Sequence, residues 1–227
     1  MPKMNITTRP LSAFSVKAAR VSLITAASFL VLLAAMHILE PEFDPSWRFI
    51  SDYELGSYGW LMQLAFLLLA VSAASLFVAV RSQIKTVGGY IGLSFLALNV
   101  LGFALAALFV ADPTTATVAT GHGHLHSLGA ALAGNVAGAA CFLAWSLARN
   151  KAWSAVRRSL LWITGIAIAD TFVSFWMQSI MASSHNHFGP GTLVGWPNRL
   201  LIVGLALWLL AIAWRVTHMQ ESAKNNI

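Results

Sequence analysis

The stretch Tyr58–Val80, YGWLMQLAFLLLAVSAASLFVAV, contains no charged residue and is long enough to cross a lipid bilayer as a helix. A transmembrane helix needs about 20 consecutive, mostly apolar residues. Five further stretches meet or approach this length, and we predict additional spans at Val21–Leu39, Val87–Val110, Ser127–Leu147, Ser159–Ser183 and Pro197–Arg215. The sequence therefore predicts an all-α polytopic membrane protein, a bundle of six transmembrane helices.

The overall composition supports this class. Of the 227 residues, 58% are hydrophobic and 10% are charged, whereas soluble domains contain about 25% charged residues. The mean hydropathy is +0.71. The formal net charge of +6 is then explained by loops that face anionic lipid, so the predicted partners are membrane lipids and not nucleic acid.

The charged residues are divided between alternate connections of the six predicted spans. Six of the eight acids and six of the seven histidines lie in or at the edge of the first, third and fifth connections, at residues 40–57, 111–126 and 184–196, which we call the acidic face. All 14 Lys and Arg residues except Arg48 and Arg199 lie at the chain ends or in the other connections. By the positive-inside rule, the segments 1–20 and 216–227 are predicted to be cytoplasmic, flanking a membrane domain at 21–215 in the cell membrane.

The segment His122-Gly-His124-Leu-His126 is a candidate metal site. On a helix His122 and His126 share a face, and in an extended segment all three side chains project to one side. Two or three imidazoles with a carboxylate can form an open catalytic site for a divalent metal such as zinc, and Asp112 is the nearest carboxylate in sequence. Three more histidines at a similar depth are candidate ligands: His37, His185 and His187. The alternative is that these are solvated histidines near the membrane interface.

Further candidate catalytic groups lie in the first connection and at the start of the last span. Ser51 and Tyr53 can supply a hydroxyl nucleophile or an oxyanion donor. The alternative is a re-entrant turn whose aromatic residues anchor at the lipid headgroups. Arg199 can pair with Asp112 or Asp52, or bind a lipid phosphate through its planar guanidinium.

Asp170 is the only formally charged residue well inside a predicted span. Asn99 and Asn135 lie close to the middle of the third and fourth spans, so the three side chains are predicted to meet near the membrane midplane. A lone carboxylate there costs several kcal/mol, and Asp170 is therefore expected to be neutral or hydrogen-bonded to the asparagines as a structural clasp. The alternative is a proton relay or cation site, which Ser174 and Gln178 extend at i,i+4 spacing.

Small residues in the fourth span predict a close contact between helices. Ala130, Gly134 and Gly138 recur every four residues, a spacing that lets a neighbouring helix approach. The sequence shows no evident broken helix or inverted repeat, which weakens an interpretation as a transporter.

Short motifs from about residue 20 to 215 resemble the bacterial and archaeal membrane family named domain of unknown function 998. The motifs are His37 and Pro41, Ser51-Asp52-Tyr53, Gly59-Trp60-Leu61-Met62, Asp112, His126, and Gly195 with Arg199. The resemblance implies a six-helix bundle and no established activity, and it makes Ser51, Tyr53, Asp112, His126 and Arg199 the positions to test first. The turn Ile50-Ser51-Asp52 is also similar to DRAM-like eukaryotic membrane proteins linked to lipid handling.

Three classes of function are compatible with these residues. The leading hypothesis is a lipid-directed, metal-dependent hydrolase or transferase at the outer face, with polar groups that resemble those of ceramidase-type intramembrane hydrolases. The second is a redox protein in which His37 and His126 are the axial ligands of a single haem. The third is a non-catalytic lipid-binding protein, or a proton-coupled transporter that uses Asp170.

The charge division gives a first testable prediction, because it fixes which connections face the cytoplasm. Reporter domains fused after Arg81 and after Arg149 should be cytoplasmic, and those fused after Asp44 and after Thr117 should be external. Protease accessibility in intact cells and in inverted vesicles provides the measurement. The reverse pattern would place the acidic face inside the cell.

Overall fold

The computed structural model of the protein describes residues 11–185 and 189–224. Within these ranges it contains no strand and seven α-helices: α1 Ala13–Leu39, α2 Gly59–Val80, α3 Val87–Leu108, α4 Gly121–Ala133, α5 Val136–Ala148, α6 Arg157–His185 and α7 Gly195–Lys224. Six spans are long and apolar enough to cross a membrane, because α4 and α5 together form one interrupted span. The predicted all-α bundle of six membrane spans is confirmed.

The spans are arranged in chain order as a closed ring. Each helix packs on the next, α7 returns to pack on α1, and α2 also contacts α7 across the ring. The core contains buried apolar side chains such as Phe29, Leu69 and Trp208. Large apolar side chains such as Ile166 and Phe172 face outward, as expected for a surface covered by lipid, which does not penalise exposed hydrocarbon.

Helix capping moves two helix starts away from the predicted positions. α1 begins at Ala13 because the Ser12 side chain accepts a hydrogen bond from the Ser15 N–H at 3.0 Å. α4 begins at Gly121 because Thr120 Oγ1 accepts the Gly123 N–H at 3.0 Å. Such caps satisfy N–H groups that the helix leaves free, and they can start a helix before its apolar run begins. The three histidines of residues 122–126 are therefore helical.

The fourth span is interrupted at Gly134 and Asn135, between α4 and α5. Asn99 of α3 donates from Nδ2 to the carbonyls of Leu132 and Ala133 at 3.3 and 2.9 Å. Asn135 Nδ2 also lies 3.3 Å from the Leu132 carbonyl. Carbonyls released from a helix inside the bilayer have no water to bind, so a polar side chain must satisfy them. The expectation of unbroken spans is thus wrong at this position.

The contact between α3 and α4 is close enough to require glycine on both helices. A Cβ on Gly102 would collide with backbone atoms of α4, and a Cβ on Gly129 would lie 2.6 Å from the Gly102 carbonyl oxygen. In the predicted stripe, Ala130 is exposed and Gly134 has ordinary van der Waals room, whereas a Cβ on Gly138 would lie 3.1 Å from the Phe95 ring of α3. The close face lies one residue earlier in the helix.

The interruption also separates the two halves of the fourth span. α4 packs mainly on α3, whereas α5 packs on both α3 and α6. The half of the span nearer the acidic face therefore stands apart from α6, and a cavity lies beside it.

Residues 40–58, which connect α1 to α2, fold back into the end of the bundle. They contain a short 3-10 helix, Ile50–Leu55. Tyr53 within it is fully buried, and Asp52 is 1% exposed. The prediction of a re-entrant turn is consistent with this arrangement, and the 40–58 segment forms part of the cavity wall.

Replacing Asn99 by Ala should destabilise the protein by roughly 1–3 kcal/mol, because it leaves buried carbonyls at the interruption without their donor. Unfolding of the purified protein in detergent, followed by helical circular dichroism, measures the effect. Ser94→Ala is the matched control on the same helix, since Ser94 is exposed and its hydroxyl bonds only the Tyr90 carbonyl. Equal stability of the two variants would contradict the assigned role of Asn99.

Candidate functional site

A cavity of about 570 Å³ lies at the acidic end of the bundle, between α3, α4, α6, α7 and the 40–58 segment. Its wall is mostly apolar, with Phe103, Phe175 and Leu201 among the lining residues. Polar side chains from five parts of the chain also line it: Ser51, Asp112, Thr114, Thr117, His126, Ser127, Gln178 and Asn198. Three of the residues predicted from sequence, Ser51, Asp112 and His126, are thus brought to one cavity.

His126 is held in a single tautomer. The side chain is 6% exposed, and its Nδ1 lies 2.8 Å from the Phe109 carbonyl oxygen. A carbonyl can only accept a hydrogen bond, so Nδ1 carries the proton and Nε2 carries the basic lone pair. Glu54 Oε2 lies 3.4 Å from the same Nδ1, and the Phe66 ring contacts the imidazole with its centroid at 5.9 Å.

Glu54 is a buried carboxyl behind His126, with 8% of its surface exposed. Its Oε2 accepts the Ala111 N–H at 2.8 Å, and its Oε1 is buried with no hydrogen-bond partner among the described residues. Burial raises the pKa of Glu54 to about 8, against the opposing effect of the Ala111 N–H. Glu54 therefore carries a proton at neutral pH.

Asp112 anchors the start of α4. Its two carboxylate oxygens accept the Thr120 N–H and the Thr120 hydroxyl, each at 2.8 Å. The Thr120 N–H is the main cause that lowers the pKa of Asp112, and the charges of His124 and His122 act in the same direction. A Cβ on Gly123 would collide with this carboxylate, so glycine permits its approach.

The predicted metal ligands are not gathered into one donor set. His122 and His124 are exposed on the first turns of α4. Within residues 11–185 and 189–224, no three His, Cys, Asp or Glu side chains are grouped to hold a metal ion. His185 is the last residue of α6, in a stretch whose side chains are not described, and His187 lies outside the described residues. The zinc site stays a prediction.

Arg199 lies at the centre of a separate buried cluster that does not line the cavity. It is 6% exposed and donates from Nε to His37 Nε2 at 3.0 Å. Nη1 donates to the carbonyls of Arg48 and Gly195 at 2.6 and 3.1 Å. Nη2 donates to the Tyr53 hydroxyl at 3.2 Å. The cluster joins α1, the 40–58 segment and α7, so Tyr53 and Arg199 act as structural anchors of this end.

His37, predicted as a ligand, and Asp52, predicted as a partner of Arg199, make other contacts in the structure. His37 Nδ1 lies 2.7 Å from the Leu33 carbonyl, so both ring nitrogens of His37 are engaged by protein groups and neither is free for a haem or a metal. Asp52 is paired with Arg48 at 3.2 Å and accepts the Thr114 hydroxyl at 2.6 Å. Among the described residues, neither Asp52 nor Asp112 forms an ion pair with Arg199.

The comparison with known proteins agrees with the fold and with the resemblance found in the sequence. Residues 23–215 match the family model described as "Protein of unknown function (DUF998)". The chain belongs to the DUF998 family. Comparison with curated proteins gives no significant match, and comparison with solved structures gives none either. Family membership supports a multi-pass membrane protein and supplies no activity.

The intramembrane polar residues of this DUF998 protein do not form the predicted clasp. Asn99 and Asn135 bind the interruption of the fourth span. Asp170 instead lies against Gly204 of α7, where a Cβ would collide with its carboxylate. Its Oδ1 is buried without a hydrogen-bond partner among the described residues. Asp170 also borders a second groove of about 380 Å³, lined by apolar side chains of α6 and α7.

Sequence reasoning missed two polar residues that line the cavity of this DUF998 protein, Thr114 and Asn198, and the carboxyl behind His126, Glu54. Glu54, Thr114 and Asn198 lie in connections or at a helix start, and each is placed by a contact with a distant part of the chain. Their residue types carry no signal of burial. Ser51 and Glu54 are three residues apart on one short helix. This spacing is the one local indication in the sequence that both residues belong to the same site.

Replacing Glu54 by Gln should change how stability depends on pH. The folded pKa of about 8 lies above the ordinary value of 4.5, so the wild type holds a proton that the unfolded chain releases. Wild-type stability should therefore fall as pH rises between these two values, by on the order of a few kcal/mol. The Glu54→Gln protein should lack this part of the dependence.

Thermal unfolding in detergent from about pH 5 to pH 9 tests this, with the exposed Glu42→Gln as control. Parallel curves for wild type and Glu54→Gln would show that Glu54 does not hold a proton in the folded protein.

Proposed function

We propose that this DUF998 protein is an enzyme of the cell membrane that hydrolyses or transfers an acyl group of a lipid, bound in the cavity at an outward-directed acidic face. The observation that carries the proposal is His126. It lines the cavity, and the Phe109 carbonyl fixes its Nδ1–H at 2.8 Å, so its Nε2 is the basic nitrogen. An imidazole held in one tautomer by an acceptor behind it is the usual arrangement of a general base.

The shape and lining of the cavity favour an amphipathic substrate. Apolar side chains of α3, α4, α6, α7 and residues 111–119 form most of the wall, which suits an acyl chain. The polar residues Ser51, Asp112 and Thr114 come from the connections at the end of the bundle, which suits a headgroup at the membrane interface. Membrane lipids combine these two properties in one molecule.

Ser51 is the nucleophile that we assign. Its hydroxyl proton passes to His126 Nε2 while Oγ bonds to the carbonyl carbon of the lipid ester or amide. The bond to the leaving group then breaks, and that group takes the proton from His126. Water or a second hydroxyl compound releases the acyl group from Ser51 by the same steps, which distinguishes hydrolysis from transfer.

Asn198 is assigned to the developing oxyanion. Its Oδ1 accepts the Ile50 N–H at 3.0 Å, so the amide is oriented by the backbone of the 40–58 segment. The Nδ2 group is then the hydrogen-bond donor for the negative oxygen of the tetrahedral intermediate. Such preorganised donors often supply the largest single contribution to acyl transfer.

The proposed reaction is assigned to Ser51, His126 and Asn198 and is written without a metal-bound step. The predicted zinc site, with His122, His124, His126 and Asp112, is tested separately by elemental analysis of the purified protein. The single-haem hypothesis requires His37, whose two nitrogens bind Arg199 and Leu33.

The purified protein in detergent should become labelled by a fluorophosphonate probe at Ser51 and should hydrolyse p-nitrophenyl butyrate. Ser51→Ala should abolish both, and His126→Gln should lower both by about 100-fold or more, since general base catalysis contributes factors of this size. Ser127→Ala is the matched control, because Ser127 lines the same cavity and is exposed. Peptide mass spectrometry locates the label.

The same proteins are then mixed with phosphatidylglycerol vesicles, and released fatty acid is measured. If vesicle lipid co-purifies with the protein but is not hydrolysed, and the protein is not labelled, the proposed enzymatic activity is contradicted. That result would favour the non-catalytic lipid-binding alternative. Label and turnover that persist in Ser51→Ala would overturn the assigned nucleophile.

A further inference from the structure

We propose that Asp170 is a proton-binding site reached from the acidic face along a polar track on α6, formed by Asp170, Ser174 and Gln178. The track leads from the cavity along the interface between α6 and α7 to the level of Gly204. This inference goes beyond the proposed lipid chemistry and does not depend on it.

The three residues lie on one face of α6. They are spaced by four residues, so each step along the helix is about 6 Å. The antiparallel neighbour α7 contacts the same face, because Asp170 lies against Gly204 and Gln178 borders the cavity together with Asn198. The track therefore follows the interface between α6 and α7.

Each member of the track has a buried polar atom without a hydrogen-bond partner among the described residues. The atoms are Asp170 Oδ1, Ser174 Oγ and Gln178 Nε2, and Ser174 is 0% exposed. Buried polar atoms without a protein partner are rare in native structures, and internal water is their usual partner. Three in a row on one face favour a short file of water molecules.

Other polar groups on the same helix are satisfied by the protein. The Thr171 hydroxyl donates to the Ala167 carbonyl at 2.8 Å, and Trp208 Nε1 donates to Thr164 Oγ1 at 3.3 Å. Unpartnered buried polar atoms also occur elsewhere among the described residues, such as Glu54 Oε1 and Arg215 Nε, but among these residues only the track has three in succession along one helix face.

The track is open at one end and closed at the other. Gln178 lines the cavity at the acidic face, which gives water a route in. Towards the basic end, Leu160, Trp208 and Ile212 are buried and fill the interface between α6 and α7. Water therefore reaches Asp170 from the acidic face, while the second groove beside it is lined by apolar side chains, so Asp170 is a proton-binding site and not part of a continuous channel.

The charged and titratable groups around Asp170 lie towards the helix ends. α5 contributes Cys141, which is exposed. The groups on α6 and α7 are Arg157, Arg158, His185, Arg199, Arg215, His218, Glu221 and Lys224. Gly204 permits direct approach of the carboxylate to α7, and the apolar groove beside it lacks any cation to hold the ionised form. The proton on the carboxyl group is thus supplied and removed only by water in the track.

Infrared spectroscopy of the full-length protein in lipid vesicles tests the proposal. The carbonyl stretching band of the protonated Asp170 carboxyl is assigned by comparison: it is the band that is present in the wild-type spectrum and absent from the Asp170→Asn spectrum. In D₂O this band should shift within the mixing time, because a water file delivers deuterons. Gln178→Leu and Ser174→Val should slow the shift by about tenfold or more by interrupting the file, and Thr171→Val, beside the track, should not.

Any one of three other outcomes would overturn the proposal. A band that fails to shift over hours in the wild type shows a closed site. An equal rate of shift in wild type and in the folded Gln178→Leu protein shows another route. A spectrum without an Asp170 band at any pH from about 4 to 9 shows that Asp170 binds no proton. None of these measurements depends on ester hydrolysis, so failure here and failure of the proposed enzyme are distinguishable.

Discussion

The hydrogen bonds from Asn99 to the carbonyls of Leu132 and Ala133 support the feature on which the rest of this end of the bundle depends. They stabilise an interruption that would otherwise leave polar backbone in hydrocarbon. With the span interrupted, α4 can follow α3 through the glycine contact while α5 packs on α6. The space that α4 leaves beside α6 and α7 is the cavity. One amide side chain of the third span thus stabilises the interruption of the fourth span.

The cavity combines two environments that a single element could not provide. Membrane spans supply apolar walls, and the 40–58 segment supplies Ser51 and, behind His126, the carboxyl of Glu54. Folding this segment into the bundle end desolvates Glu54, and the same burial fixes the imidazole of His126 between carbonyl and carboxyl. The chemistry assigned to His126 therefore depends on a connection between helices as much as on its own helix.

The sequence predicts the six spans because hydrophobicity over about 20 residues is a local property. It also identifies Ser51, Asp112 and His126, which the fold brings to one cavity. Contacts distant in the chain could not be predicted in the same way. Glu54 is placed by its contacts with Ala111 and His126, which are distant in the chain, and Arg199 binds His37 rather than an acid because the ring closes between α1 and α7. The fourth span looked continuous because the donor that permits its interruption lies on another helix.

The Arg199 cluster also has a consequence for the order in which the chain is assembled. Its acceptors lie on α1 and the 40–58 segment, which are synthesised early, whereas the guanidinium is on the last span. Domains generally form in the order of synthesis, from the N-terminus. Until α7 is synthesised, the Arg48 carbonyl and the Tyr53 hydroxyl therefore lack the Arg199 guanidinium as their hydrogen-bond donor. A chain that ends before residue 195 would lack these hydrogen bonds, so the order of the acidic end depends on the last span.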